Sequence, residues 1–218
     1  MSNKKFALIL AGCGVYDGSE IHETTLSMYA IAKRNCAYEI YAPDVEQHHV
    51  VNHITGDEMD EKRNVLIESA RIARGKIKPM NEFDASQFDI LLIPGGFGAA
   101  KNLSTYGFKG VDLTVNEQVA KAVRDMVNQE KPIGALCMSP VIIAKVLRNV
   151  KLTIGSDQTT KKDIVTMGSE HVDTTHGQVI VDEKYKVATT PCYMLEGSID
   201  QIGLGAENVV DKLIEMAR

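Results

Sequence analysis

Apolar residues follow two alternating patterns along most of the chain. Short continuous apolar runs are typical of strands buried on both faces, and longer segments with apolar residues every three or four positions are typical of amphipathic helices. The predicted strands are Lys5–Ala11, Tyr38–Ala42, FDILLIPGG and KPIGALC. The predicted helices are Ser19–Asn35, KRNVLIESARIARGKI, Val115–Gln129, SPVIIAKVLRNV and Ser198–Ala217. This alternation predicts an α/β three-layer sandwich, with a mostly parallel, flavodoxin-like sheet and helices on both faces.

The pattern changes after Val150. The segments KLTIG, SEHVDTT, GQVIVDE and KVATTP are short and alternate polar with apolar residues, which predicts a peripheral strand plus a β-ribbon. The stretch Pro43–Glu61 has weak periodicity and several turn formers, so we expect a long loop or a small inserted hairpin there. No linker, repeat or low-complexity tract interrupts the chain, and a single domain over residues 1–218 is therefore expected.

Composition and charge exclude several classes of function. The net charge of −5 provides no basic surface for nucleic acid or for an anionic membrane. No apolar stretch approaches the ~20 residues of a membrane span. The four cysteines are widely spaced and form neither a CxxC pair nor a Cys/His cluster, so we expect no metal site, no disulfide framework and a reducing, cytoplasmic setting.

The stretch LAGC after Lys4 and Lys5 is similar to a lipoprotein cleavage site. Its apolar segment, Phe6–Ala11, is shorter than the ~7–15 residues that a signal peptide needs. Cleavage before Cys13 would also remove the first predicted strand. We therefore interpret this stretch as a strand and a turn that lead into an acid-bearing helix.

Cys137 lies between the fourth predicted strand and a helix that has Pro140 in its first turn. Proline is favourable there because its missing N–H would have no partner in any case. The turn must be tight, with Cys137 at its apex, as in the nucleophile elbow of hydrolases. The N–H groups and dipole of the helix are expected to lower the pKa of the thiol. The alternative is an inert cysteine in the core.

Two other strand ends supply complementary groups. Consecutive glycines after a buried strand let backbone N–H groups converge on an anion, so the N–H groups of Gly96 and Met138 are predicted to form an oxyanion hole opposite Cys137. Glu23 stands near the start of the first predicted helix, for which Ser19 is the expected N-cap. If the first and fourth predicted strands are neighbours, Glu23 reaches the sulfur as a proton donor or shuttle; otherwise it only complements the helix dipole.

A dinucleotide site is a further alternative. Gly12 and Gly14 follow an apolar strand, and Asp44 after the second strand stands where an acid would bind a ribose. However, Asp17 occupies the position of the third glycine in the G-x-G-x-x-G pattern and would repel a pyrophosphate.

These pieces together resemble the ThiJ/PfpI superfamily, which has a class I glutamine amidotransferase-like fold. The stretches GCGVYDGSEIHE, NHITGDEM, RNVLIESARIARG, PGGFGAAKNLS and LTIGSD are similar to its enhancing lycopene biosynthesis protein 2 branch, also called isoprenoid biosynthesis protein with amidotransferase-like domain. The resemblance covers almost the whole chain. It implies a nucleophilic cysteine at Cys137, a nearby glutamate at Glu23, a cytoplasmic homodimer and no cofactor.

The chain departs from some members of this superfamily. Protease-like members often carry His directly after the nucleophile, where this chain has Met138. The G-x-G-x-Q and late H-x-E patterns of true glutamine amidotransferases are absent. These departures argue against peptidase and glutaminase activity. Cys13 and Cys192 are expected to take no part, and His22 to be structural or to face solvent.

The resemblance implies glyoxalase activity for some members of the superfamily, and together with the predicted Cys137 elbow it leads to two hypotheses of function. The first is a cofactor-independent, glyoxalase III-type enzyme that converts small dicarbonyls such as glyoxal and methylglyoxal to hydroxy acids, with Cys137 adding to the aldehyde and Glu23 moving protons. The second is a non-enzymatic redox sensor or regulatory protein linked to isoprenoid metabolism, in which Cys137 is oxidised to a sulfinic acid that Glu23 stabilises.

Overall fold

The computed structural model describes residues 4–217. Its α-helices are α1 (Ile21–Lys33), α2 (Val65–Ile72), α3 (Phe97–Lys101), α4 (Tyr106–Lys109), α5 (Glu117–Asn128), α6 (Pro140–Leu147), α7 (Gln158–Thr166) and α8 (Ile199–Met216). Its strands are β1 (Lys5–Ile9), β2 (Ala37–Ala42), β3 (Lys78–Pro79), β4 (Ile90–Ile93), β5 (Ile133–Leu136), β6 (Lys151–Leu152), β7 (Glu170–His171), β8 (Ile180–Asp182) and β9 (Val187–Thr190).

Seven strands form the central sheet, in the order β3-β2-β1-β4-β5-β9-β8. Every pairing in this sheet is parallel except that of β8 with β9, which is antiparallel. Helices cover both faces, so the predicted α/β sandwich with a mostly parallel, flavodoxin-like sheet is confirmed.

Alternation along the strands divides the interior into two cores. In β1 and the residues that follow it, Phe6, Leu8 and Leu10 face a core completed by α1 and α8, and the intervening Ala7 and Ile9 face a core completed by α5 and α6. All five side chains have no solvent exposure. A strand with both faces buried needs apolar residues at every position, which explains the continuous apolar runs.

The region after Val150 differs in part from the predicted ribbon. The segment VATT forms β9, which pairs along its length with β5 inside the main sheet, and only β8 lies at the edge. β6 and β7 form a separate two-stranded parallel sheet. Helix α7, between them, has a polar sequence without a clear apolar period, and the pattern of apolar residues therefore did not predict it.

The stretch Pro43–Glu61 contains a small hairpin. An antiparallel bridge joins Val51 to Glu58, and the N–H of Asn52 donates to the carbonyl of Asp57 at 2.9 Å. Of the two interpretations left open for this stretch, the inserted hairpin is therefore the one that the structure shows. Within residues 4–217, no helix has the length and apolar character to cross a membrane.

Candidate active site

Cys137 lies at the apex of a tight turn between β5 and α6. Its φ of 58° is in the left-handed region, which is uncommon for a residue with a side chain and costs on the order of 1–3 kcal/mol. Two hydrogen bonds hold the turn: the Cys137 N–H donates to the Thr190 carbonyl at 3.0 Å, and the Ser139 hydroxyl donates to the Pro94 carbonyl at 2.6 Å. Pro140 is the first residue of α6, as the elbow interpretation requires.

Glu23 lies in the first turn of α1, and its side chain has no solvent exposure. Oε2 accepts the N–H of Gly95 at 2.9 Å, and Oε1 accepts the N–H of Tyr193 at 3.1 Å. The carboxyl group also lies beside the Cys137 thiol: a Cβ atom on Gly95 would be 2.6 Å from Oε2 of Glu23 and 2.9 Å from Sγ of Cys137. The side chain thus joins three segments that are far apart in sequence.

The strand adjacency on which the contact between Glu23 and Cys137 was made conditional does not occur. β1 and β5 are not neighbours, because β4 lies between them. Glu23 nevertheless reaches Cys137 over the end of β4, where the chain continues as Pro94 and Gly95. A Cβ atom on Gly95 would lie 2.3 Å from the Cβ of Cys137 and 2.6 Å from Oε2 of Glu23. Only glycine leaves room for this contact.

The backbone amides of Gly96 and Met138 lie near the sulfur of Cys137 and act to lower the pKa of its thiol, against the larger effect of burial. Gly96 has a φ of +98°, and a Cβ atom there would lie 2.4 Å from the backbone N of Glu20. In this geometry the two amides face the sulfur itself, so they stabilise negative charge on it. Their predicted role as an oxyanion hole stays a prediction.

The N-cap of α1 also differs from the expectation. Glu20, rather than Ser19, caps the helix by accepting the N–H of Glu23 at 2.6 Å. The Ser19 hydroxyl instead accepts the N–H of Ala11 at 2.8 Å and ties the end of β1 to the following turn. Ser19 therefore stabilises the turn between β1 and α1, and Glu20 takes the N-cap role that was predicted for Ser19.

Burial determines the electrostatics of the pair. Burial, followed by the negative charge of Glu20, raises the pKa of Glu23 to about 8. Burial, followed by the negative charge of Glu23, raises the pKa of the Cys137 thiol well above its usual value. The expected lowering of this pKa was wrong, because the apex is nearly closed, with Cys137 only 6% exposed, and because its neighbour is an acid. Near neutral pH the pair carries at most one negative charge.

Two residues were underestimated from sequence. Cys192 is buried near the pair: burial first, and then negative charge on Glu23 and Cys137, raise its pKa well above the usual value. Its position follows from β9, which pairs with β5 and ends just before it. Tyr193 donates its N–H to Glu23, and its hydroxyl lies 2.9 Å from Nδ1 of the exposed His22. The sequence signal for these two residues was the segment TTPC at a predicted strand end. The sequence alone did not show that this segment lies beside Cys137.

The glycine turn after β1 is built for internal contacts. The N–H of Gly12 donates to the Ser69 hydroxyl at 2.9 Å, and the N–H of Gly14 donates to a carbonyl at 2.9 Å. Asp17 is buried and accepts the N–H of Val51, in the inserted hairpin, at 2.8 Å. With these amides occupied, the turn does not present the N–H groups that a dinucleotide phosphate would need.

Residues that could hold a metal are not grouped together. In the described part of the chain, no three His, Cys, Asp or Glu side chains converge as ligands. The four cysteines are free thiols. The chemistry that this edge of the sheet offers is therefore that of a thiol, a carboxyl group and backbone amides.

Comparison with known proteins gives the family. The DJ-1/PfpI family matches residues 15–196. The chain belongs to the DJ-1/PfpI family. It is 42% identical over 222 residues to human glutamine amidotransferase-like class 1 domain-containing protein 3, mitochondrial, a match that covers 97% of this chain and 83% of the relative. It is 40% identical to the rat ES1 protein homolog, mitochondrial, with 97% and 84% covered.

A solved structure gives the same assignment. The isoprenoid biosynthesis protein with amidotransferase-like domain from Ehrlichia chaffeensis superimposes with a TM-score of 0.92 at 36% identity, covering 99% of this chain and 100% of that one. The resemblance to this DJ-1/PfpI branch is therefore confirmed.

The expectation of a cytoplasmic setting is contradicted by these relatives. Both the human and the rat protein are named mitochondrial. The expectation rested on widely spaced cysteines, which indicate a reducing environment but do not distinguish one reducing compartment from another.

Proposed function

We propose that this DJ-1/PfpI protein is a cofactor-independent, glyoxalase-like enzyme that converts glyoxal to glycolate and methylglyoxal to lactate. The observation that supports the proposal is the contact of one buried sulfur with a carboxyl group and two backbone amides. A nucleophile beside a group that accepts and returns protons is the minimum needed to rearrange a dicarbonyl.

The first step forms a carbon–sulfur bond. In the singly deprotonated pair, Glu23 accepts the proton of the Cys137 thiol as the sulfur attacks an aldehyde carbon. The aldehyde oxygen then takes this proton, which gives a hemithioacetal and restores the Glu23 carboxylate. The nearby N–H groups of Gly96 and Met138, which favour the charged form of the sulfur, stabilise the thiolate as it forms.

The second step moves hydrogen within the substrate. The Glu23 carboxylate removes the proton from the carbon bonded to sulfur, forming an enediolate. The hydroxyl proton of this carbon passes to the oxygen of the neighbouring carbon, and Glu23 returns its own proton to that neighbouring carbon. The first carbon is thereby oxidised to the acyl level and the second reduced to an alcohol, so no external oxidant is needed. Water then cleaves the carbon–sulfur bond of the thioester, releasing the hydroxy acid and the Cys137 thiol.

The closed apex limits the substrate. Cys137 is 6% exposed, and the groups beside its sulfur are the fully buried carboxyl group of Glu23 and Gly95, which has no side chain. A carbonyl carbon can approach the sulfur only when its substituents are small. This favours two- and three-carbon dicarbonyls over peptides, in agreement with the missing His after Cys137.

The direct test measures glycolate formed from glyoxal by the wild type and three variants. Replacing the nucleophile, Cys137→Ala, is expected to reduce kcat/KM by at least about 10³-fold. Replacing the proton carrier, Glu23→Gln, is expected to reduce it by about 10²–10⁴-fold. Cys36→Ala is the matched control, because this thiol lies just before β2, away from the pair, and activity should be retained. Full activity in Cys137→Ala, or no glycolate from the wild type, overturns the proposal.

The raised pKa of Cys137 reduces the resting thiolate on which both the proposed enzyme and the redox-sensor alternative depend, so it does not decide between them. Mass spectrometry after peroxide treatment distinguishes the two. A sensor gains two oxygen atoms at Cys137 at low peroxide concentration and forms no glycolate, whereas the proposed enzyme turns over glyoxal and its Cys137 resists oxidation.

A further inference from the structure

Glu20 is hydrogen bonded to both Glu23 and Gly95, next to the Cys137–Glu23 pair. It is 7% exposed, and its Oε2 accepts the N–H of Glu23 at 2.6 Å. Its own N–H donates to the carbonyl of Gly95 at 2.9 Å. The N–H of Gly95 in turn donates to Oε2 of Glu23 at 2.9 Å. Glu20, Glu23 and Gly95 therefore form a closed ring of hydrogen bonds beside the sulfur.

The titratable groups that face Glu23 come from three parts of the fold, and none of them carries a positive charge. Glu20 lies on the same helix start, Cys137 on the elbow after β5, and Cys192 and Tyr193 on the turn after β9. The strongest charge acting on Glu23 is that of another acid, Glu20. The carboxylate of Glu20 accepts an N–H at the positive end of α1, a position that favours negative charge.

We propose that Glu20 is a positioning residue for this pair: its carboxylate caps the first turn of α1 at the N–H of Glu23, its own N–H holds that turn against Gly95, and its negative charge disfavours a second negative charge on Glu23. The catalytic consequence rests on the proposed function, since a protonated Glu23 sets the pH at which the pair becomes a nucleophile. The protonation itself can be measured without any turnover.

The variant Glu20→Gln separates the effect of the negative charge from the effect of the hydrogen bond. In Glu20→Gln the amide oxygen still accepts the N–H of Glu23, but the negative charge is gone. In Glu20→Asp the charge is kept on a shorter side chain. Glu20→Ala removes both the cap and the charge. Glu117→Gln, an exposed acid in the first turn of α5 on the opposite face of the sheet, is the control for removing an acid from a helix start.

The experiment follows the alkylation of Cys137 by iodoacetamide between pH 5 and pH 10, read at the Cys137 peptide by mass spectrometry. We expect Glu20→Gln and Glu20→Ala to move the midpoint down by about one pH unit, because a like charge near the pair is removed. Glu20→Asp and Glu117→Gln should leave the midpoint unchanged. Only Glu20→Ala should also lower the melting temperature, by several degrees.

The outcomes distinguish this inference from the proposed function. A midpoint that stays in place in Glu20→Gln overturns the role of the Glu20 charge, whether or not the protein forms glycolate. A shifted midpoint in a protein that forms no glycolate supports the role of Glu20 and overturns the enzyme. When both are found, the rate of glycolate formation at pH 7 should rise in Glu20→Gln, because more of the pair is deprotonated.

Discussion

The Glu23 carboxyl group accepts a hydrogen bond from the backbone N–H of Gly95, 72 positions further along the chain. This contact brings the start of α1 over the end of β4 and sets the carboxyl group against the Cys137 sulfur. It exists only because Gly95 has no side chain to separate the acid from the thiol.

Gly95→Ala is expected to disrupt the site through steric overlap. The added Cβ would lie within 2.6 Å of atoms of Cys137 and Glu23, which is closer than packed atoms tolerate. Overpacking of this kind costs about 1–3 kcal/mol of stability, and displacement of either partner should abolish most of the proposed glyoxalase activity. Thermal unfolding and glycolate formation measure the two effects.

Gly203→Ala, in α8, is the matched control, since its Cβ would make only an ordinary contact with the Leu26 side chain of α1, 3.7 Å away. Alanine is the better helix former, so this variant should be as stable as the wild type or more stable. Equal behaviour of the two variants would show that the space beside Gly95 is not filled as described.

The stability of the protein should depend on Glu23 in a defined pH range. Its pKa rises from 4.5 to about 8 on folding, so the folded state holds this proton more tightly than the unfolded chain. The resulting stabilisation is complete below pH 4.5 and is lost as the pH rises through about 8, a change on the order of 5 kcal/mol. Glu23→Gln cannot titrate and lacks this loss.

Chemical denaturation of the wild type and Glu23→Gln at pH 5, 7 and 9 tests this expectation. The difference in free energy of unfolding between them should move in favour of Glu23→Gln as the pH rises. The direction of this change, rather than its value at one pH, is informative, because glutamine also replaces an acceptor near the Gly95 and Tyr193 amides with a donor. A constant difference across the three pH values contradicts the burial of an ionisable carboxyl group.

The sequence was sufficient for four strands of the sheet and for the Cys137–Glu23 pair at its edge. Continuous apolar runs identified β1, β2, β4 and β5, and the Pro140 signal placed Cys137 at a turn. The segment VATT was different: it is too short and too polar to be distinguished from a surface ribbon. Its pairing with β5 is decided by tertiary contacts, and this pairing brings Cys192 and Tyr193 to the site.

The protonation of the pair could not be predicted from the elbow pattern. A helix start lowers the pKa of a thiol, and this was the basis of the expectation for Cys137. The opposing effects depend on three-dimensional placement: the closed apex, the carboxyl group of Glu23 beside the sulfur, and Glu20 behind it. Burial and like charge outweigh the helix dipole here, since the dipole contributes no more than about 2 kcal/mol even in favourable, partly buried geometries.

Ser139→Ala is expected to loosen the elbow. The buried hydroxyl of Ser139 donates to the Pro94 carbonyl at 2.6 Å and so joins the start of α6 to the end of β4. Its loss leaves a buried carbonyl without this partner, at a cost of about 1–3 kcal/mol. Thermal unfolding should show the loss, and kcat for glyoxal should fall because Gly95 and Gly96, which follow Pro94, shift relative to the sulfur. Ser86→Ala, an exposed serine far along the chain from the elbow, should change neither value.

The rate of the proposed reaction should rise with pH through the deprotonation of the pair. The reactive form carries one negative charge shared by Cys137 and Glu23, and the first proton leaves at a pH near 8, the value to which the pKa of Glu23 is raised. A plot of log kcat/KM for glyoxal against pH is therefore expected to rise with a slope of one below about pH 8 and to level above it. The singly charged pair holds one proton whether the negative charge is on Cys137 or on Glu23. The pH profile therefore reports the titration of the pair and not of either residue. A profile that is flat from pH 6 to pH 9 would mean that the sulfur is already a thiolate at neutral pH, and the raised pKa of the buried pair would then be wrong.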